Sequence, residues 1–224
     1  ARNEAEKKNT KEKEKQQKIL QASAKVQANA AKYNFSGLES KYSLPSGMLA
    51  ALHAIETGNT GKSNQVNKKS GAAGGFQFLS GTAKQYGVKD RTDLQQSAEG
   101  AAKYMSYLLK LFEGDLEKAV RAYHAGEGNV QRGTNMGKYN NDYWEKFKGY
   151  SAGVSGYKSG DVSSKDFEKM LEDATKIVQE QANARKSLEL EVANEVTKIR
   201  ENLKDKLIEL DKAGFSPERK KELE

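Results

Sequence analysis

Three hydrophobic rhythms run along this 224-residue chain. Residues 1–15 have no apolar face and are too polar to bury one, so they are expected to be frayed or disordered. From Gln16 to Tyr33, the residues Ile19, Leu20, Val26, Ala30 and Tyr33 make a thin helical stripe. The middle of the chain carries denser patterns. Met48, Leu49, Leu52 and Ile55 mark a buried face on a helix over Pro45–Thr57, with Pro45 in its first turn and Gly58 as its stop. Ala101, Ala102, Met105, Leu108, Leu109 and Phe112 predict a second helix from about Ala98 to Phe112. Leu116, Ala119, Val120 and Tyr123 share one face of a third, which Gly126 and Gly128 end. In the last quarter, Phe167, Leu171, Ala174, Val178, Leu188, Val192, Val196, Ile199, Leu203, Leu207 and Leu210 recur at three- and four-residue steps that miss only at Gln181 and Arg185. That spacing fits a single helix over Ser164–Lys212, roughly 70 Å long at 1.5 Å per residue. It fits equally a hairpin folding back near Gln181–Arg185. So thin a stripe needs a partner helix to be stable in water.

Glycine sharpens the division. Nineteen of the 20 glycines lie between Gly37 and Gly160, and no β-strand run with clean alternation stands out. The expected fold is therefore mainly α. A charged helical, partly disordered arm over 1–35 precedes a globular domain over 36–150. A Gly/Ser linker over 151–163 then leads to a long helical, coiled-coil-like assembly arm over 164–224.

Composition removes several function classes. No stretch reaches the roughly 18–20 apolar residues that cross a bilayer. The chain has no cysteine and two histidines, His53 and His124, which excludes a disulfide framework and a thiolate metal site and makes a His-rich metal site improbable. No apolar leader follows the first residues, so classical secretion is not expected unless a leader has been removed. Net charge is +7, divided as +5 over 1–32, +5 over 33–160 and −3 over 161–224. A basic middle and N-terminus suit an anionic partner such as nucleic acid, a membrane surface or a cell wall, though a simply solvated surface explains the charge as well.

Candidate chemistry gathers in the middle. Glu56 sits in the last turn of the Pro45–Thr57 helix beside an apolar wall. Both the helix dipole and a partly apolar pocket raise a carboxyl pKa, as a general acid near neutral pH requires. Taken alone, most such glutamates are solvated surface residues. Ser70-Gly71-Ala72-Ala73-Gly74-Gly75-Phe76-Gln77-Phe78 is small, backbone-exposed and closed by an amide between aromatics, which suits a neutral sugar with N-acetyl groups. It lacks the GxxxxGK[ST] pattern of a phosphate cradle. A flexible loop is the plainer interpretation. On composition alone, Tyr123 would be a core residue and His124 a surface one.

Three segments in order give the sequence a family likeness. Lys41-Tyr42-Ser43-Leu44-Pro45 through Ala54-Ile55-Glu56-Thr57, then Gly74-Gly75-Phe76-Gln77-Phe78, then Ala122-Tyr123-His124-Ala125-Gly126-Glu127-Gly128-Asn129-Val130 resemble the SLT family of lytic transglycosylases. The likeness covers about Phe35–Tyr150 and implies a lysozyme-like fold related to goose-type lysozyme. By position it makes Glu56 the catalytic acid of the family's Glu-Ser pair. Gln77 matches the Gln of its Gly-Leu-Met-Gln segment, and Tyr123 the Tyr of its Ala-Tyr-Asn-Ala-Gly segment. Thr57, Gln77, Phe78, Tyr123, His124 and Gly126 are the implied substrate-binding residues. The departures are Thr57 for Ser, Gly75-Phe76 for Leu-Met, and His124 for Asn.

The resemblance implies a reaction that needs neither metal nor cofactor. The bond between N-acetylmuramic acid and N-acetylglucosamine breaks, and the muramic C6 hydroxyl closes a 1,6-anhydro ring. No second acid carries a motif; Asp90, Asp93, Glu99, Glu127 and Asp142 are candidates only by proximity. A hydrolytic lysozyme and a catalytically reduced wall-binding module remain the other classes. The implied partners are peptidoglycan strands, helical chains of self or another protein meeting residues 164–212, and nucleic acid only through the basic N-terminal arm. A wall-cleaving domain between charged helical arms resembles virion-associated proteins of tailed phages, which act in the host periplasm during genome delivery. A bacterial periplasmic or secretion-system enzyme is the competing setting.

Overall fold

A computed structural model describes residues 17–158 and 162–224. It divides into two units, one ending at Gln179 and the other running from Glu180 to Glu224. The charged run over 1–15 lies outside the described residues.

The first unit is built around α3 (Met48–Glu56), in which every residue from Met48 to Ala54 is buried. A helix apolar on all sides can only be central. Around it stand α1 (Ala24–Lys32), α2 (Phe35–Tyr42), the short α4 (Ser80–Gln85), α5 (Leu94–Leu111), α6 (Leu116–Ala125), α7 (Glu127–Arg132) and α8 (Lys138–Val154). Side-chain caps fix the starts of several: Ser23 for α1, Asp93 for α5 and Asp115 for α6. The α3 helix starts three residues later than its apolar pattern suggests. Pro45 and Gly47 form a turn, with Gly47 at φ 84°, and the buried Glu39 carboxylate accepts from Gly47 N (3.1 Å) and Leu49 N (2.9 Å) in place of a side-chain cap.

The domain limits differ from those expected. Residues 17–35 are no separate arm. Leu20 N donates to Gly149 O at 3.0 Å, and a Cβ at Gly153 would lie 2.0 Å from Leu20 O. Glycines on α8 thus let the incoming backbone lie directly on that helix. Val26 and Asn29 of α1 are then buried against the core. The supposed linker begins late for the same reason: residues 151–154 are the last turn of α8, and Ser151 and Ala152 are buried. At the other end, Phe167 and Leu171 join the core, and buried Lys148 pairs with Glu168 at 2.6 Å and Glu145 at 3.1 Å.

The helix α9 (Ser164–Lys212) runs unbroken through Gln181–Arg185, so the hairpin does not form. In the second unit Leu188, Val192, Ile199 and Leu203 are all more than half exposed. A short helix, α10 (Pro217–Leu223), follows. No helix among the described residues is long and apolar enough to cross a membrane.

Candidate active site

Glu56 ends α3 at the floor of a cleft of about 530 Å³. One wall is the 65–78 segment, expected to be a loop but pinned along its length. Ala73 and Phe78 exchange backbone hydrogen bonds at 3.0 and 3.1 Å, Gly74 N donates to Gln65 O at 2.8 Å, and the Arg91 guanidinium donates to Gly71 O and Phe78 O. Gly75 lies flat against His53; a Cβ there would come within 2.9 Å of the imidazole and 2.6 Å of Leu94. The opposite wall comes from the end of α6 and the start of α7, where Gly126 at φ 86° turns the chain. Only an achiral residue adopts that φ cheaply.

The Glu56 carboxyl is held from an unexpected side. Tyr143 of α8 donates its hydroxyl to Glu56 Oε1 at 2.6 Å and is itself buried. His124 stacks on the Tyr143 ring, with centroids 4.7 Å apart and planes 18° from parallel. The His124 ring is fixed in turn by Asn140, whose Nδ2 lies 3.0 Å from His124 Nδ1 and also donates to Arg121 O. The His124 imidazole therefore braces the tyrosine that touches Glu56. Burial pushes the Glu56 carboxyl up to about 7, while the Tyr143 bond pulls it the other way. At neutral pH the group is poised between acid and base.

The remaining predicted residues separate. Gln77, Phe78, Tyr123, His124 and Gly126 line the cleft with Glu56. Gln77, at φ 52°, lines the cleft and spends its amide N–H groups on Gly74 O (2.8 Å) and Gln65 O (3.2 Å). The Tyr123 hydroxyl donates to Phe76 O at 3.1 Å rather than to Glu56, tying the two walls together. Thr57 does not reach the cleft. It is buried, its hydroxyl donates to His53 O at 2.7 Å, and it accepts from Gly61 N at 3.0 Å. Its hydroxyl shapes the turn after the acid and is not placed to hold substrate.

Sequence reasoning missed Tyr143 and Asn140. Tyr143, Phe147 and Tyr150 follow one another on a helical face of α8, a pattern that announces a helix but not its partner 87 residues away. It also missed how His53 serves the site. That buried imidazole places Nδ1 2.7 Å from Gly75 O and Nε2 3.0 Å from Asn29 Nδ2, and stacks on Phe76 at 5.3 Å. One ring thus fastens α1, α3 and the glycine-rich wall.

Residues 33–142 match the family model described as Transglycosylase SLT domain. The mainly helical middle of the chain is thus similar to an SLT domain and consistent with its lysozyme-like fold. Membrane-bound lytic murein transglycosylase D of Escherichia coli is 34% identical over 82 residues, covering 33% of this chain and 18% of that protein. Membrane-bound lytic murein transglycosylase F of Pseudomonas fluorescens is 32% identical over 72 residues, covering 30% of this chain and 15% of the relative. The likeness to these relatives thus spans less than a fifth of their length.

Proposed function

We propose that the chain is a lytic transglycosylase that cuts the β-1,4 bond between N-acetylmuramic acid and N-acetylglucosamine in peptidoglycan. The observation that carries this is Glu56, a cleft carboxyl raised to about 7 and held by the Tyr143 hydroxyl. Protonated Glu56 donates to the glycosidic oxygen as the bond to the muramic C1 breaks. The substrate's N-acetyl oxygen stabilises the positive charge at C1. The Glu56 carboxylate then takes the proton of the muramic C6 hydroxyl as that oxygen bonds to C1. The proton count closes, water is not consumed, and one carboxyl serves both steps. The Gln77 oxygen and the Phe78 and Tyr123 rings supply polar and flat apolar surface for the sugars.

A hydrolase would place a second carboxylate across the same bond. Glu127 is the other acid lining the cleft, but it belongs to a different stretch. Its field falls on Tyr86 and Tyr104, whereas that of Glu56 falls on Tyr123 and Tyr143. Mass spectrometry of fragments released from purified wall tests the proposal. Anhydro ends support it, and reducing ends or no cleavage refute it.

The setting we propose is a phage particle acting in the host periplasm, with residues 164–212 meeting partner helices. What supports the partner helices is the exposure of Leu188, Val192, Ile199 and Leu203 along a helix too thinly apolar to stand alone. A bacterial periplasmic enzyme is the competing setting. Co-purification of the chain with virions or with the cell envelope decides between them.

A further inference from the structure

The domain that carries the cleft is basic, with 16 lysines and arginines against 11 acids over 33–160, yet the cleft lining contains neither lysine nor arginine. Its charged lining residues are Glu56 and Glu127. Glu56 is engaged by Tyr143 and is the proposed acid. Glu127 has no part in that chemistry. It is half-buried at the start of α7, where Oε2 accepts from the Tyr104 hydroxyl at 2.7 Å. Among the described residues no cationic side chain comes within ion-pair distance of it. Tyr104 is itself buried and packs ring to ring with Tyr123 at 5.5 Å and Tyr86 at 5.0 Å. The carboxylate is therefore held by the hydroxyl of a tyrosine that belongs to the Tyr86, Tyr104 and Tyr123 ring cluster.

A fixed, half-buried carboxylate without a cation, set among aromatic rings, is complementary to a positive group brought by the ligand. We propose that Glu127 and Tyr104 form a subsite for a primary ammonium group of the substrate, away from the scissile bond. The inference rests on the wall-cleaving function, because peptidoglycan carries such groups in two places. One is the free side-chain amine of the stem peptide's diamino acid; the other is a glucosamine unit that has lost its acetyl group. A fully N-acetylated glycan without peptide presents neither. Glu127 thus makes the enzyme read the state of the wall, favouring strands whose amines are free.

The test measures binding to the full chain in the Glu56→Gln background, so that turnover does not interfere. Isothermal titration uses two pairs of probes: a disaccharide peptide with its lysine side chain free or acetylated, and chitotetraose against the same tetramer with one glucosamine. The expected result is about tenfold tighter binding of the free-amine member of one pair, falling to about onefold when Glu127→Gln is added. The pair that shows the preference names the source of the ammonium. A glutamine still accepts the Tyr104 hydroxyl, and an unchanged melting temperature confirms that the fold is kept. Equal affinities within both pairs, or a preference that survives Glu127→Gln, overturns the subsite. Those outcomes leave the cleavage proposal standing, since anhydro-end formation is measured separately. Failure to bind any probe overturns the subsite, and the anhydro-end assay then decides the cleavage proposal by itself.

Discussion

Replacing Tyr143 with phenylalanine removes one oxygen and leaves the ring that stacks on His124 at 4.7 Å. The lost contact is the 2.6 Å hydrogen bond to Glu56 Oε1. A hydrogen bond to a charged group contributes about 1.5–3 kcal/mol. Protonated Glu56 keeps a weaker form of the same bond, so the difference between its two protonation states lies near the lower end, about 1.4 kcal/mol. That equals roughly one pH unit. Burial alone then sets the carboxyl, and its midpoint moves up from about 7 to roughly 8. Initial rates of anhydro-muropeptide release from purified sacculi, measured from pH 5 to 9, read this directly. Wild-type activity should fall on the alkaline side near pH 7, where the acid loses its proton. In Tyr143→Phe that limb should move about one unit upward. The rate below pH 6 should drop about tenfold, because the acid is then protonated in both proteins but no longer oriented in the variant. An alkaline limb that stays in place or moves down would refute the role assigned to Tyr143.

Glu56→Gln should lower cleavage by roughly 100- to 10,000-fold, since no other group replaces the acid. Retention of more than a tenth of the rate removes Glu56 from the mechanism. The same variant should gain melting temperature relative to wild type as pH rises from 4.5 through 7. Over that window the unfolded chain ionises this carboxyl while the fold, which raises it from 4.5 to about 7, keeps it protonated, so wild type loses stability and the amide variant does not. A difference that is flat with pH contradicts the raised pKa. Tyr123→Phe severs the link to Phe76 O and should slow cleavage several-fold with a melting-temperature loss of only a few degrees; unchanged turnover returns Tyr123 to a packing role. Polar replacement of Val192, Ile199 and Leu203 should abolish association of the chain in analytical ultracentrifugation without slowing cleavage of wall fragments; a wild-type chain monomeric at high concentration excludes self-association.

The cleft position of Glu56, the 74–78 wall and the end of α6 at Gly126 were legible in the sequence because each is written locally. Glu56 follows an apolar run, Gly126 closes another, and α5 and α6 follow their stripes. The rest depended on contacts between distant segments. Leu20 lies on α8 because Gly149 and Gly153 lack side chains, and nothing near Leu20 in sequence reveals that. Polar α1 looked like the end of an arm, yet its Asn29 is buried because His53 and Gly61 O satisfy its amide. Thr57 looked like a ligand-facing hydroxyl, but its helical position lets it reach back to His53 O, a habit of threonine four residues along a helix.

The close approach of Gly75 to His53 has a consequence for how this cleft could be altered. The family pattern carries leucine where Gly75 stands, and here the space for that side chain is filled by the imidazole and by Leu94. Volume has in effect passed across the interface, from the wall segment to the helix bearing the acid. Positions 53 and 75 therefore behave as a conjugate pair rather than as two independent sites. Leucine at 75 alone would collide with the ring and with Leu94, and alanine at 53 alone would leave a void and one partner fewer for Asn29. An exchange that conserves the filled volume has to make room at both His53 and Leu94, so a graft of the usual wall sequence into this domain has to begin on the helices opposite it.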